Sequence, residues 1–208
     1  MEQTVKKRKM QAIETKQKIF EAAMELVREK GVENVQIEDI SHKANISMGL
    51  FYKYFANKSD VITEAINQES DTYYQHIKEV YLSGLRGEEK LLCFVQHIAD
   101  YHQNHLNKVD LKHNYSTILS NPSRRESIVR EERPIYAILA ECISEMTEDG
   151  VLDESLCVEA AARYLTMLVR GTIFEYLLSD DTFDVIATSG HLVATYLNGL
   201  KMPQEEGK

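Results

Sequence analysis

Residues 37–58, IEDISHKANISMGLFYKYFANK, constrain this chain more than any other stretch. Ile37, Ile40 and Ala44 fall at helical spacing, Asn45-Ile46-Ser47 interrupts the run, and a second short apolar run resumes from Leu50 to Phe55. The pattern predicts a helix, a tight turn and a second helix. Asn45 tolerates the left-handed conformation that closes a helix, and Ser47 offers an oxygen to the free N–H groups of the next one. A helix pair with so short a connection is the frame that lays its second helix in the major groove of DNA.

The flanking segments extend this frame. A first helix is predicted over residues 15–30, with Ile19, Ala23, Leu26 and Val27 on one face and Gly31 just past its end. Gln36 stands where a Ser or Thr cap is expected, with Asp39 three residues on as the second half of a capping box, so the cap is weak. Ahead of the first helix, Lys6-Lys7-Arg8-Lys9 reads either as a solvated end or as an arm that reaches phosphates or the minor groove. From residue 57 to about 82 the helical pattern is unbroken, with Ile62, Ile66, Tyr73, Ile77 and Val80 sharing a face before Gly84 and Gly87. One stiff helix then joins head to body, which makes it the candidate for carrying motion between them.

Charge divides along the same line. The first sixty residues hold 11 Lys and Arg against 9 Asp and Glu, the remainder 13 against 24, for a net charge of −9. A mildly basic head on an acidic body argues against a chain coated for nonspecific nucleic-acid binding and for one with a second task. Cys93, Cys142 and Cys157 form no CxxC pair, and the N-terminus has no apolar run of a secretory signal, so a reducing cytoplasm is expected.

Gly31, Ile37, Asp39-Ile40, Ala44, Ile46-Ser47, Gly49, Tyr52, Tyr54-Phe55 and Lys58, in this order and spacing, resemble the N-terminal signature of the tetracycline-repressor (TetR) family of bacterial regulators over residues 13–62. Gln36 departs from the usual Thr and Asn45 from the usual Gly of the turn. The resemblance implies a cytoplasmic homodimer whose two heads read successive major grooves of a palindromic operator. It also implies a helical body that binds an effector and releases DNA. Ser47, Met48, Gly49 and Leu50 would form the exposed start of the recognition helix, Gly49 allowing close approach and Met48 and Leu50 touching thymine methyls. Taken alone, Met48 and Leu50 read as core side chains; the motif turns them outward. Tyr52 and Lys58 look like the family's phosphate contacts, Lys53 is a further one, and Lys7 and Arg8 belong to the arm.

The body reads as helices over about 88–106, 109–120, 122–149, 154–179 and 183–200, with Asn121-Pro122 opening the third and Pro134 kinking it. His97, His102, His105 and His113 crowd together, and His102 and His105 would share a helical face, but no carboxylate falls at a recognised spacing and no metal or cofactor is expected. Residues 158–178 are apolar on most sides, although Glu159, Arg163, Arg170 and Glu175 exclude a membrane span. A second subunit is the natural cover. Leu165 and Leu168, with Ile186, Val193, Tyr196 and Leu197 of the last helix, are therefore expected at a dimer interface built of two helices from each subunit. An effector pocket is expected among Tyr101, His105, Tyr115, Leu119, Tyr136, Met167, Arg170 and Phe174, a mixture that suits a largely apolar ligand with one polar or acidic end, such as a fatty acyl compound or a mixed hydrophobic drug.

The chain is thus expected to be all-α, with a three-helix head (1–56), a helical effector-binding and dimerisation body (57–202) and a tail (203–208). The leading function is a ligand-responsive repressor, with an activator or protein-partner regulator as the alternative. A helical enzyme is remote, since no GxSxG, HExxH or GxxxxGK[ST] motif is present.

Overall fold

The computed structural model describes residues 2–120, 128–179 and 182–201. Among these the chain is helical, and its one β-type pairing is an isolated bridge between Leu152 and Lys201. The helices are α1 (Glu2–Lys30), α2 (Ile37–Lys43), α3 (Met48–Tyr54), α4 (Lys58–Val80), α5 (Gly87–Asp100), α6 (Lys108–Ser120), α7 (Pro134–Glu148), α8 (Val158–Leu178) and α9 (Val185–Leu200). A 3-10 turn (Val32–Asn34) precedes α2, and a π-helical turn (Tyr101–His105) extends α5. No described helix is long and apolar enough to cross a membrane.

Two compact units form, one from Met1–Ser70 with Val109–Val129 and the other from Asp71–Lys108 with Arg130–Lys208. The boundary lies inside α4 rather than at residue 56, and α6 groups with the head rather than with the body. The expected tail and the Asn121-Pro122 helix start lie outside the described residues.

In the first unit, one face of α1 supplies Ile19, Ala23, Leu26 and Val27 to a core completed by Val35, Ile40, Phe51, Phe55, Ile62 and Ala65. This is the stripe that helical spacing marks in the sequence. α1 starts far earlier than expected, however, so Lys6-Lys7-Arg8-Lys9 lies on a helix and not on an extended arm. Gly31 closes it at φ +77°, its N–H donating to the Val27 carbonyl at 2.8 Å.

In the second unit, Leu91, Phe94, Val95 and Ile98 of α5 meet Ile138, Leu139, Ile143 and Met146 of α7 and Leu165, Val169 and Ile173 of α8 in a continuous apolar core. Lys90 enters this core and is held by Glu141 at 2.5 Å and Glu145 at 2.8 Å, while the second Glu145 oxygen accepts the Gly87 N–H at 2.8 Å. The buried ammonium is thus doubly paired, as a charge removed from water must be. Pro134 does not kink a helix; it occupies the first turn of α7, after Arg133 in extended backbone. A proline at that position loses nothing, because the first N–H groups of a helix have no partner within it.

Candidate nucleic-acid interface

The turn between α2 and α3 follows the chemistry of its residues. Asn45 takes φ +53°, and among the described residues it is the one non-glycine at positive φ. Ser47 caps α3, its Oγ accepting the Leu50 N–H at 3.2 Å. Upstream, Asp39 supplies the working half of the α2 cap: its Oδ2 accepts the Gln36 N–H at 3.1 Å and the Lys30 ammonium at 2.5 Å. These two donors, Lys30 first, hold its carboxyl below the usual carboxylate range. Asn57 and Asp60 form the equivalent cap on α4, through Asp60 N–H to Asn57 Oδ1 at 3.0 Å and Ala56 N–H to Asp60 Oδ2 at 3.1 Å.

With both ends capped, the helix pair presents one open face. Phe51 is wholly buried and anchors α3, while Ser47, Gly49, Tyr52 and Lys53 are exposed and Met48 and Leu50 half-buried. A Cβ built on Gly49 would meet only the Ser47 hydroxyl, at 4.0 Å, so the backbone there is open to close approach. Lys7 and Arg8 are exposed on α1. Lys58 Nζ donates to the carbonyls of Val32 at 3.1 Å and Glu33 at 3.3 Å, tying α4 to the 3-10 turn with two of its three N–H groups. The same turn is held by α6: Asp110 Oδ1 accepts the Val32 N–H at 3.0 Å, and His113 Nδ1 lies 3.0 Å from Glu33. Nothing in the local sequence signals these last two contacts.

The residues expected at a dimer interface divide by which way they point. Leu165 and Leu197 are 0% exposed and Val193 is nearly so. They fill the subunit's own core and cannot present side chains to a partner, which corrects their assignment. Leu168 and Tyr196 instead line an apolar groove of about 490 Å³ on α8 and α9, with Tyr164, Met167, Gly171, Phe183 and Leu192. Ile186 lies in a separate, more polar depression of about 750 Å³ beside Tyr176, Asp184 and His191.

The expected effector residues also divide. Met167 at 54% and Phe174 at 39% exposed face outward on α8, and Leu119 is exposed on α6, so none of the three lines an enclosed pocket. Tyr115 is half-buried on α6, in the first unit. In the second unit Tyr101 is buried and stacks on Tyr73 with ring centroids 4.0 Å apart, and Arg170 donates to the Tyr136 hydroxyl at 3.1 Å. His102 and His105 do not share a face. The π turn spreads residues that an α-helix would align. It buries His102, whose Nδ1 lies 2.8 Å from the Ile98 carbonyl, and leaves His105 outside, 3.6 Å from Asp100. Burial, with Arg133 nearby, pushes the His102 imidazole down to about 4, so it is neutral at pH 7 and carries its proton on Nδ1. No group of three or more His, Cys, Asp or Glu placed to hold a metal occurs among the described residues.

The family model described as "Bacterial regulatory proteins, tetR family" matches residues 19–65, the segment that builds the α1–α4 head. A fatty acid metabolism regulator protein of Bacillus subtilis is 22% identical over 188 residues, covering 88% of this chain and 93% of its own. An HTH-type transcriptional regulator of Staphylococcus aureus is 36% identical, but only over 69 residues, a third of this chain. Among solved structures, FadR of Thermus thermophilus, described as a TetR-family transcriptional repressor in complex with lauroyl-CoA, superposes with a TM-score of 0.76 at 22% identity, covering 93% of this chain and 98% of that one. FadR of Bacillus subtilis in complex with stearoyl-CoA superposes at 0.63 and 21% identity, covering 88% and 98%. The capped helix pair and the match over residues 19–65 lead to one assignment: the head is a DNA-binding domain of the tetR regulatory-protein kind, on a chain that shares the all-α fold of these solved regulators.

Proposed function

We propose that this chain is a repressor that leaves a palindromic operator when an acyl-type effector, apolar with one anionic end, binds its second unit. The observation that carries the DNA half is the open face of α3 and its cap, where Ser47, Gly49, Tyr52 and Lys53 stand exposed around a helix anchored by Phe51. Palindromic reading needs two copies. The α8–α9 groove, with exposed Tyr164, Met167 and Leu192, is the apolar face that a second copy would cover. Support for the acyl class comes from relatives whose structures hold lauroyl-CoA and stearoyl-CoA, and from Tyr101, Tyr136 and Arg170 in the second unit.

An effector acts only through its different affinities for the DNA-competent and released forms, and coupling of about 1–3 kcal/mol shifts operator affinity about 5- to 150-fold. Footprinting on the neighbouring intergenic DNA, repeated with lauroyl-CoA and stearoyl-CoA, tests both halves. Protection of a palindrome, abolished by effector, is the expected result; no protected site refutes the reading. Lys58→Ala should flatten the salt dependence of binding by about one unit for each phosphate that goes unneutralised, while Leu50→Ala should change sequence preference more than salt slope.

A further inference from the structure

The second unit buries a guanidinium that the described residues satisfy only in part. Arg133, just before α7, is 7% exposed; its Nε donates to Oδ1 of Asp71 on α4 at 2.9 Å, and its Nη2 lies 2.8 Å from the same oxygen. Asp71 is the one described partner of that side chain, and it engages at most two of the five N–H groups. The Asp71 side chain is 26% exposed, and burial pushes its carboxyl up in spite of the two arginines, Arg133 and Arg130, that act on it. A buried pair in which desolvation outweighs attraction is one that another anion can replace. Beside it Tyr74 is buried under the influence of Arg133, Asp71 and Arg170, and His102 is neutral.

We propose that Arg133 receives the anionic end of the effector in exchange for Asp71, so that binding frees α4 from the segment leading into α7. Asp71 is then a built-in competitor that holds the effector's place on Arg133 until the effector arrives. The exchange rests on the reading of the effector as an acyl compound with one anionic end. It adds what receives that end and what is released when it docks. The anion is a carboxylate or a phosphate, since a guanidinium pairs with either.

The two members of a purely structural ion pair lose function together when either is removed. Here they should move in opposite directions. Calorimetric titration of the full chain with dodecanoate, lauroyl-CoA and dodecan-1-ol, all below micellar concentration, reads the difference. Wild type should prefer at least one anionic probe to the alcohol by about tenfold or more, the worth of a charge-assisted bond. Whichever anionic probe carries the preference identifies carboxylate or phosphate as the group received. Asp71→Asn should tighten the anionic probe several-fold and leave the alcohol unchanged; Arg133→Gln should abolish the preference. If Arg133→Gln does not fold, the neutral pair Asp71→Asn/Arg133→Gln replaces it and should lose the preference that Asp71→Asn alone retains. Equal binding of the alcohol and both anions, or an Asp71→Asn variant no tighter than wild type, overturns the exchange and leaves the acyl reading standing. Failure of all three probes to bind overturns the acyl reading and the exchange with it.

Discussion

His102 should make the fold sensitive to mild acid, in a window where the carboxylates are still charged. Its imidazole is buried, its Nδ1–H is committed to the Ile98 carbonyl at 2.8 Å, and Arg133 disfavours a second proton. The folded group titrates near 4 and the unfolded one at its ordinary 6.5, so between those values the unfolded chain binds more protons. Stability is therefore complete above pH 6.5 and falls as the pH drops toward 4. At pH 5 an unfolded imidazole is almost fully protonated and the folded one almost fully neutral, which removes about 2 kcal/mol relative to pH 8. His102→Gln keeps a donor for the Ile98 carbonyl and has no titration. Urea unfolding at fixed protomer concentration, run at pH 8, 6.5 and 5 on both proteins, isolates the effect in the difference between them. Wild type should lose about 2 kcal/mol more than the variant over that span. Parallel pH profiles would mean that the imidazole is hydrated or already charged in the fold, and would refute the reasoning.

Further outcomes follow from the same geometry. Ser47→Ala removes the oxygen that caps α3 and should cost about 1 kcal/mol in denaturant unfolding, while Asn45→Val, forced to positive φ, should cost about 1–2 kcal/mol and Asn45→Gly little. Met167→Glu on the exposed groove should give folded monomers by sedimentation, whereas Leu197→Glu places a charge at a fully buried site and should lose the helical circular dichroism signal. A folded dimer with Met167→Glu would remove the groove as the pairing face. Cys157 is exposed and Cys142 is buried, its thiol pushed up to about 12, so a thiol reagent at pH 8 should label Cys157 at once and Cys142 only on unfolding.

What the sequence discloses depends on how local the physics is. The Asn45 turn, the Ser47 cap and the Asn57 cap are settled within four residues, and each is where the residue types put it. Pro134 is different: a proline in a helical pattern marks either a kink or a start, and the choice rests on the extended backbone of Arg133. For α8 and α9 the apolar residues run round most of the circumference, so periodicity carries no direction. That is why spacing alone turns Leu165, Val193 and Leu197 outward and Met167 and Phe174 inward, the reverse of what packing produces. The contacts of Asp110 and His113 with the Val32–Asn34 turn join residues nearly eighty positions apart, beyond any spacing rule.

The π turn at Tyr101–His105 amounts to a helix with one residue too many. Its Asp100 carboxylate spans the surplus, accepting the Asn104 amide at 2.7 Å four residues on and facing His105 five residues on. A chain one residue shorter here would return to ordinary α winding, and the side chains between the deletion and His105 would turn by about 100° about the axis before Leu106 leaves the helix in extended backbone. Deletion of Gln103 or Asn104 would leave His102 and His105 two residues apart, about 160° round an α-helix, and would break the Asp100 contacts that span the turn. A single-codon deletion in this turn is therefore a change of rotation rather than of length, and it would reset which groups the second unit holds inside.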